Sequence, residues 1–212
     1  MALHRETSAA IFVSLTERHR ADFVALMEGA FAEDPWFVAL FADAPDMGGA
    51  QRRRAEFLGF LFDLSLWTGS DMRGLWEGDR LLGASILDRP EVRISGWPRV
   101  IARALAGPIG LSWLNARLIV PYLRHTRAAL PRGRTYYLTL IGVEAAARGR
   151  GVGRRLLETV LAEVDADATT LGVGLDTENP ANVGLYERFG FSVTQTAPLD
   201  RVTVHCMFRP SS

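Results

Sequence analysis

The six residues Arg148-Gly149-Arg150-Gly151-Val152-Gly153 are where residue type and spacing point most directly to chemistry. Glycines at every second position do not continue a strand. Without Cβ atoms they let the backbone take turn dihedrals and let a ligand approach the main chain. They lead into a helix whose first N–H groups have no intrahelical partners and carry the positive end of the helix dipole. A phosphate is the natural ligand there, and Arg148, Arg150 and Arg154 add to the attraction. Two familiar phosphate motifs are excluded. The dinucleotide fingerprint needs a third glycine where Arg154 stands, and the Walker loop needs a lysine, which this chain lacks altogether. What stands is Arg-x-x-Gly-x-Gly between a strand and a helix.

The flanking elements must hold that turn. Tyr136, Tyr137, Leu138, Leu140, Ile141 and Val143 are strand formers with little alternation, as a strand buried on both faces requires. Beyond the glycines, Val152, Leu156, Val160 and Val164 recur every fourth residue beside Leu157 and Leu161, with Arg154, Arg155, Glu158 and Glu163 opposite, which predicts a helix with one buried stripe. Leu171 to Thr177 reads as another strand. Asn179 then suits an N-cap, Pro180 the first helical position and Gly190 the stop, so a short helix follows. Leu185 and Phe189 are expected to face the core, with Tyr186 one turn after Asn182.

Those two segments resemble the signatures of the GNAT acyltransferase superfamily: the Arg-x-x-Gly-x-Gly turn, and an Asn seven residues before a Tyr in a helix ending in Gly-Phe. A longer resemblance, to puromycin N-acetyltransferase-like members, covers Tyr136 to the end well and the first half in layout. It rests on Gly142-Val143, Leu175-Asp176-Thr177, Tyr186 to Phe191 and the closing His205-Cys206-Met207. The resemblance implies an α/β fold of mixed α+β character. Its central mixed, mostly antiparallel sheet is splayed between the fourth and fifth strands and flanked by helices. It also implies acetyl-CoA as co-substrate, held by Ile141, Val143, Arg148, Gly149, Arg150, Gly151, Val152, Gly153 and Arg154, with Asn179 and Asn182 toward the pantetheine arm and Tyr186 near the thioester sulfur.

Length and composition suit one domain over residues 1–212 with a single large core, at 48 % hydrophobic residues. Twenty-four basic residues balance twenty-four acidic ones, so no global field points to nucleic acid or to an anionic membrane. The lone Cys206 excludes an intramolecular disulfide framework, and its alternating surroundings read as a core strand. No signal peptide or membrane span is evident, and a cytoplasmic protein, monomeric or homodimeric, is expected.

In the first half, Ile11 to Leu15 predicts a strand, Thr16 caps a helix, and Asp34-Pro35 caps a second helix carrying Trp36 and Phe37. Trp36 and Phe37 are core residues or acceptor-pocket lining; Glu33 and Asp34 are candidates for a cationic amine. A helix from Gln51 to Trp67 and a hairpin turning at Glu77 to Arg80 follow, and His4 and His19 read as surface residues. Residues 90–134 form an insertion before the fourth strand, with helices expected at Trp97 to Ala106 and Leu111 to Ala129. Seven arginines and no acidic residue lie between Ile94 and Tyr137. Its apolar side, with Tyr122, is expected to cover the acceptor pocket and keep water from a reactive thioester.

Acyl transfer from a thioester needs a neutral amine, although an ammonium has a pKa of about 10, so a base or a desolvating pocket is required. Asp176 is the first candidate base and Glu144 the second. The Val143 N–H is placed to stabilise the developing oxyanion, and Tyr186 to protonate the departing thiolate. The expected activity is N-acetylation of a primary amine on a small molecule, an antibiotic among the candidates. The alternative is a non-catalytic acyl-CoA sensor or partner module of the same fold. Tyr186 and Asn182 favour catalysis, since a pure binder needs no acid beside the sulfur.

Overall fold

Strand β1 (Ile11–Ser14) leads through a 3-10 turn (Glu17–His19) into α1 (Arg20–Ala30), whose Phe23, Leu26 and Met27 are buried. The computed structural model describes residues 9–42, 44, 46–91 and 113–212, so the helix expected at Trp97 to Ala106 and His4 lie outside the described residues. The Asp34 carboxylate accepts from the N–H groups of Trp36 and Phe37 at 3.1 and 3.2 Å, which with Pro35 in the first turn fixes the start of α2 (Pro35–Leu40). Helix α3 (Met47–Thr68) begins earlier than Gln51 because Asp46 accepts from the Gly49 N–H at 2.6 Å, and it stops at Gly69, whose φ of 84° suits glycine. The hairpin of β2 (Asp71–Glu77) and β3 (Arg80–Asp88) turns at Gly78. Helix α4 (Trp113–Ala128) belongs to the insertion. There follow β4 (Tyr136–Val143), α5 (Val152–Asp165), β5 (Gly172–Thr177), α6 (Pro180–Glu187), β6 (Ser192–Leu199) and β7 (Val202–Pro210).

The seven strands form one sheet in the order β1-β2-β3-β4-β5-β7-β6. Every neighbouring pair is antiparallel except β4 and β5. These two pair only at Tyr136 with Val173 and Tyr137 with Gly174, then separate, which is the splay that the resemblance implied. Helices α1, α2 and α3 pack with Ala84, Ile86 and Leu140 in one apolar cluster, while the stripe of α5 packs with Leu82, Leu87, Leu138 and Val173 in two others. The six apolar residues of the α5 stripe are all buried, as their spacing requires.

Two local expectations are corrected. His19 is buried rather than at the surface: its ring lies 5.6 Å from that of Trp76, and its Nδ1 accepts from the Thr16 N–H at 2.9 Å. Leu185 is 41 % exposed rather than in the core. On so short a helix one position points inward, and Tyr186 takes it, its ring edge-on to Phe191 at 5.8 Å. Leu185, one residue earlier, is turned toward the groove beside the glycine turn.

Candidate active site

The turn after β4 forms as its sequence requires. A 3-10 turn (Ala145–Ala147) brings the chain to Gly149 and Gly151, both in the left-handed region at φ 75° and 78°, where a side chain would be strained. Gly151 is the N-cap of α5 and offers no capping side chain, and the first amide to close the helix is Arg155, bonded to the Gly151 carbonyl at 3.0 Å. The earlier amides are therefore available to a ligand. A groove of about 460 Å³ runs along them, lined by Arg148, Gly149, Gly151, Val152, Gly153 and Arg154 and by Leu185, Tyr186 and Phe189 across it. Arg150 does not line it: its guanidinium is held by Glu77 at 2.6 Å. Arg154 lines it while also reaching Glu158 at 2.7 Å. These residues fit a pyrophosphate: an uncapped helix start, a main chain without Cβ atoms at three positions, and two lining guanidiniums.

The groove leads to the open edge of β4. Glu144 N–H donates to the Leu82 carbonyl at 2.9 Å, and Val143 pairs with Gly83. Amides alternate in direction along an antiparallel ladder, so those of Val143 and Ile141 point away from β3 into the gap left by β5. Asn182 enters the same region, its Nδ2 donating to Thr177 Oγ1 at 3.3 Å. Asn179 uses its side-chain oxygen to cap α6, accepting from the Ala181 N–H at 3.0 Å.

Two further cavities open from there. One, of about 640 Å³, is bounded by the α1 to α2 connection with Glu33 and Asp34, by Ile141 to Val143 and by Arg148, Asn179 and Asn182. The other, of about 170 Å³, is enclosed by aromatic and acidic side chains under α4. Trp36 stacks on Tyr122 at 3.9 Å between ring centroids, and both line it together with Phe37 and Tyr137. Asp176 forms one end, accepting from Tyr122 and from Tyr137. Glu178 lies beside it, with Oε1 at 2.6 Å from the Tyr122 hydroxyl. Burial pushes both carboxyls above the usual range, Glu178 further because the Asp176 charge adds to burial; Tyr122 and, for Asp176, Arg127 pull the other way. Burial likewise raises Asp34, against its two backbone bonds, and raises Tyr186.

The geometry thus gathers most of the residues singled out above. All three cavities share Ile141 and Asn182, and Tyr186 borders both the glycine-turn groove and the acidic cavity. Glu144 stands apart: its carboxylate pairs with Arg80 at 2.6 Å, and it lines none of the three cavities. From the insertion, Tyr122, Thr126 and Arg127 of α4 line the acidic cavity, the last lying 3.8 Å over the Tyr137 ring. Glu178 is the residue that sequence reasoning missed. The signal was present, since residues two apart at the end of a strand share a face and Asp176 is followed at that spacing by Glu178. Cys206 is buried, and burial with the nearby carboxylates pushes its thiol up to about 12, which leaves it unreactive.

A sheet split between its fourth and fifth strands, with a glycine turn at the head of the split, is an arrangement that other proteins share. Residues 118–193 match the family model described as Acetyltransferase (GNAT) domain. The fold is the GNAT fold. The crystal structure of histone acetyltransferase HPA2 and related acetyltransferase from Corynebacterium glutamicum aligns over 96% of this chain and 97% of its own, with TM-score 0.68 and 19% identity. The polyamine N acetyltransferase of Drosophila melanogaster shares the GNAT fold over 94% of this chain and 98% of its own, with TM-score 0.57 and 18% identity. The NatC complex bound to Gag peptide and CoA does so over 96% of this chain and 99% of that chain, with TM-score 0.52 and 14% identity. No curated protein sequence matches the chain. Among the described residues no helix is long and apolar enough to cross a membrane.

Proposed function

We propose that this chain is an acetyl-CoA-dependent N-acetyltransferase acting on a primary amine of a small molecule. The observation that carries the reading is the meeting of the three cavities at Ile141 and Asn182. A pyrophosphate at the glycine turn, a thioester at the gap and an amine in the acidic cavity then lie along one continuous path. The bound thioester supplies the acetyl group; the remaining tasks fall to the chain. The amides of Val143 and Ile141 face the gap and stabilise negative charge developing on a carbonyl oxygen. Asp176 takes a proton from the incoming ammonium, and Tyr186 donates one to the departing sulfur.

The acceptor end of the path is small and negative. A cavity of about 150 Å³ holds a benzene ring, so the space of about 170 Å³ admits an amine-bearing group of that order. Asp34, Asp176 and Glu178 favour a cation, and the Trp36 and Tyr122 rings suit an apolar body beside it. One solved structure of this fold is named a polyamine N acetyltransferase and another a complex bound to Gag peptide and CoA, so the fold does not choose the acceptor. The likeness to puromycin N-acetyltransferase-like members keeps antibiotic amines in the panel to be tested. Free-thiol release from acetyl-CoA across a panel of small primary amines, with mass detection of the acetylated product, tests the reading. Release with at least one cationic amine is expected; cofactor binding without release for any would leave a binding module instead.

The phosphate assignment has its own test. Gly151→Asp and Gly151→Asn impose similar backbone strain at φ 78°, but the first adds a charge facing the groove. Like charges 4 Å apart cost about 1–4 kcal/mol between bulk water and a protein surface. Calorimetry should therefore show acetyl-CoA binding weakened on the order of tenfold or more by Asp relative to Asn. Equal affinities would remove the pyrophosphate from this turn.

A further inference from the structure

The acidic end of the cavity holds more than a single base requires, and its geometry is specific about protons. Tyr122 Oη contacts Asp176 Oδ2 and lies 2.6 Å from Glu178 Oε1, while Asp176 Oδ1 accepts from Tyr137. A phenol has one proton to donate. With both carboxyls ionised, one of the two contacts at Tyr122 has no hydrogen in it and sets oxygen lone pairs against each other. One added proton repairs this, because a carboxyl O–H then donates to Tyr122 while Tyr122 donates to the other carboxylate.

We propose that the base of this enzyme is the Asp176 and Glu178 pair acting as a unit that takes up one shared proton across Tyr122, with Glu178 a positioning residue that acts on Asp176 through its charge and through that bridge. The inference rests on the acetyltransferase reading and deepens it by changing what the base is. Burial raises a lone Asp176, but its two phenol donors and Arg127 hold it back as a base toward an ammonium. The second carboxylate opposes that by like-charge repulsion and brings the proton affinity toward working pH, where a general base is most effective. The upward displacement of both carboxyls by burial, with the Asp176 charge adding to that of Glu178, agrees with this. The other groups facing the pair are Asp34 at the α2 cap, which adds to the repulsion, and Arg127 on α4, which opposes it. Tyr137 on β4, Tyr186 on α6 and Cys206 on β7 complete the surroundings, and the last two are pushed up and stay protonated.

The balance is simple. An ammonium and a thioester give an amide, a thiol and one proton. An N–H bond of the ammonium breaks as an O–H forms on Asp176, the pair passes from two negative charges to one, and the neutral amine forms the new N–C bond as the C–S bond breaks. Of the two protons that nitrogen loses in all, one ends on sulfur by way of Tyr186, and the other stays on the pair until it returns to solvent.

The test uses two variants whose effects have opposite sign. Glu178→Gln removes the like charge and keeps the shape, so the titration of Asp176 moves down by about one pH unit or more. Tyr122→Phe removes the shared donor and keeps the ring on Trp36, so the carboxyl titration moves up. Carboxyl titrations of the full chain followed by infrared or carbon NMR read this without turnover, and the acid limb of kcat/KM should move in the same two directions. Shifts of the same sign in both variants, or none in Glu178→Gln, overturn the proposal. Should no amine release thiol, the acetyltransferase reading fails by itself while the titrations still decide whether the pair shares a proton.

Discussion

Tyr186→Phe is expected to lower kcat by about 10²–10⁴-fold, the usual worth of a general acid, while leaving acetyl-CoA affinity nearly unchanged. The ring is 8 % exposed and packs edge-on against Phe191, so the substitution keeps its contacts and deletes one hydroxyl. Burial, then the charges of Asp176, Glu178 and Asp34, raise this phenol, so it carries its proton across the whole range in which the carboxyls titrate. A weaker acid would fail against an ordinary thiolate. A thiolate leaving into the same surroundings would be strengthened as a base as well, as the Cys206 thiol is there, pushed up to about 12 by burial and the same two carboxylates. Donor and leaving group would then stay matched. Steady-state kinetics at saturating acetyl-CoA, with calorimetry for affinity and a melting curve for packing, check this. A loss confined to KM would give the hydroxyl a ground-state role, and an unchanged kcat with chemistry rate-limiting would remove the acid assignment.

Asp176→Asn should have a double signature: kcat/KM down by about 10²–10⁴-fold and stability at alkaline pH up. The direction of the second effect follows from the raised proton affinity of the folded carboxyl. A group held more tightly protonated in the folded state contributes its full stability below its unfolded pKa of about 4, and that contribution is lost as pH rises through the folded value. Asparagine removes the loss. Each pH unit between the two affinities is worth about 1.4 kcal/mol, and in a chain of this size 1 kcal/mol moves Tm by about 2–4 °C. Melting curves should coincide most closely near pH 4, with the variant increasingly the more stable toward pH 8. Full activity in the variant would take proton removal away from Asp176 and leave it to Glu178 or water.

The glycine turn, the buried stripe of α5, the caps at Asp34 and Asn179 and the strand at β4 were legible because each is set by contacts within a few residues. Pairings across the chain were not. That Arg150 is taken by Glu77, that Glu144 is taken by Arg80, and that Tyr122 reaches Asp176 and Glu178 all depend on which elements the sheet order brings together. Leu185 failed for a related reason. Apolar character predicts burial where a helix has room for several inward positions, and α6 presents one, filled by Tyr186.

The divided sheet bears on how the protein avoids sticking to its neighbours. An unpaired strand edge invites another chain, and folds blunt such edges by shortening, bulging or proline. Among the described residues β1 is four residues long, and β6 carries both a bulge between Val193 and Gln195 and Pro198. The long regular edge left open is that of β4 past Tyr137, and it lies inside the molecule between α1 and α6. A partner's strand would have to enter that cleft to pair with it, unlike the strands at the rim. Under the proposed function that open edge is the one kept for an extended ligand thin enough to enter the cleft.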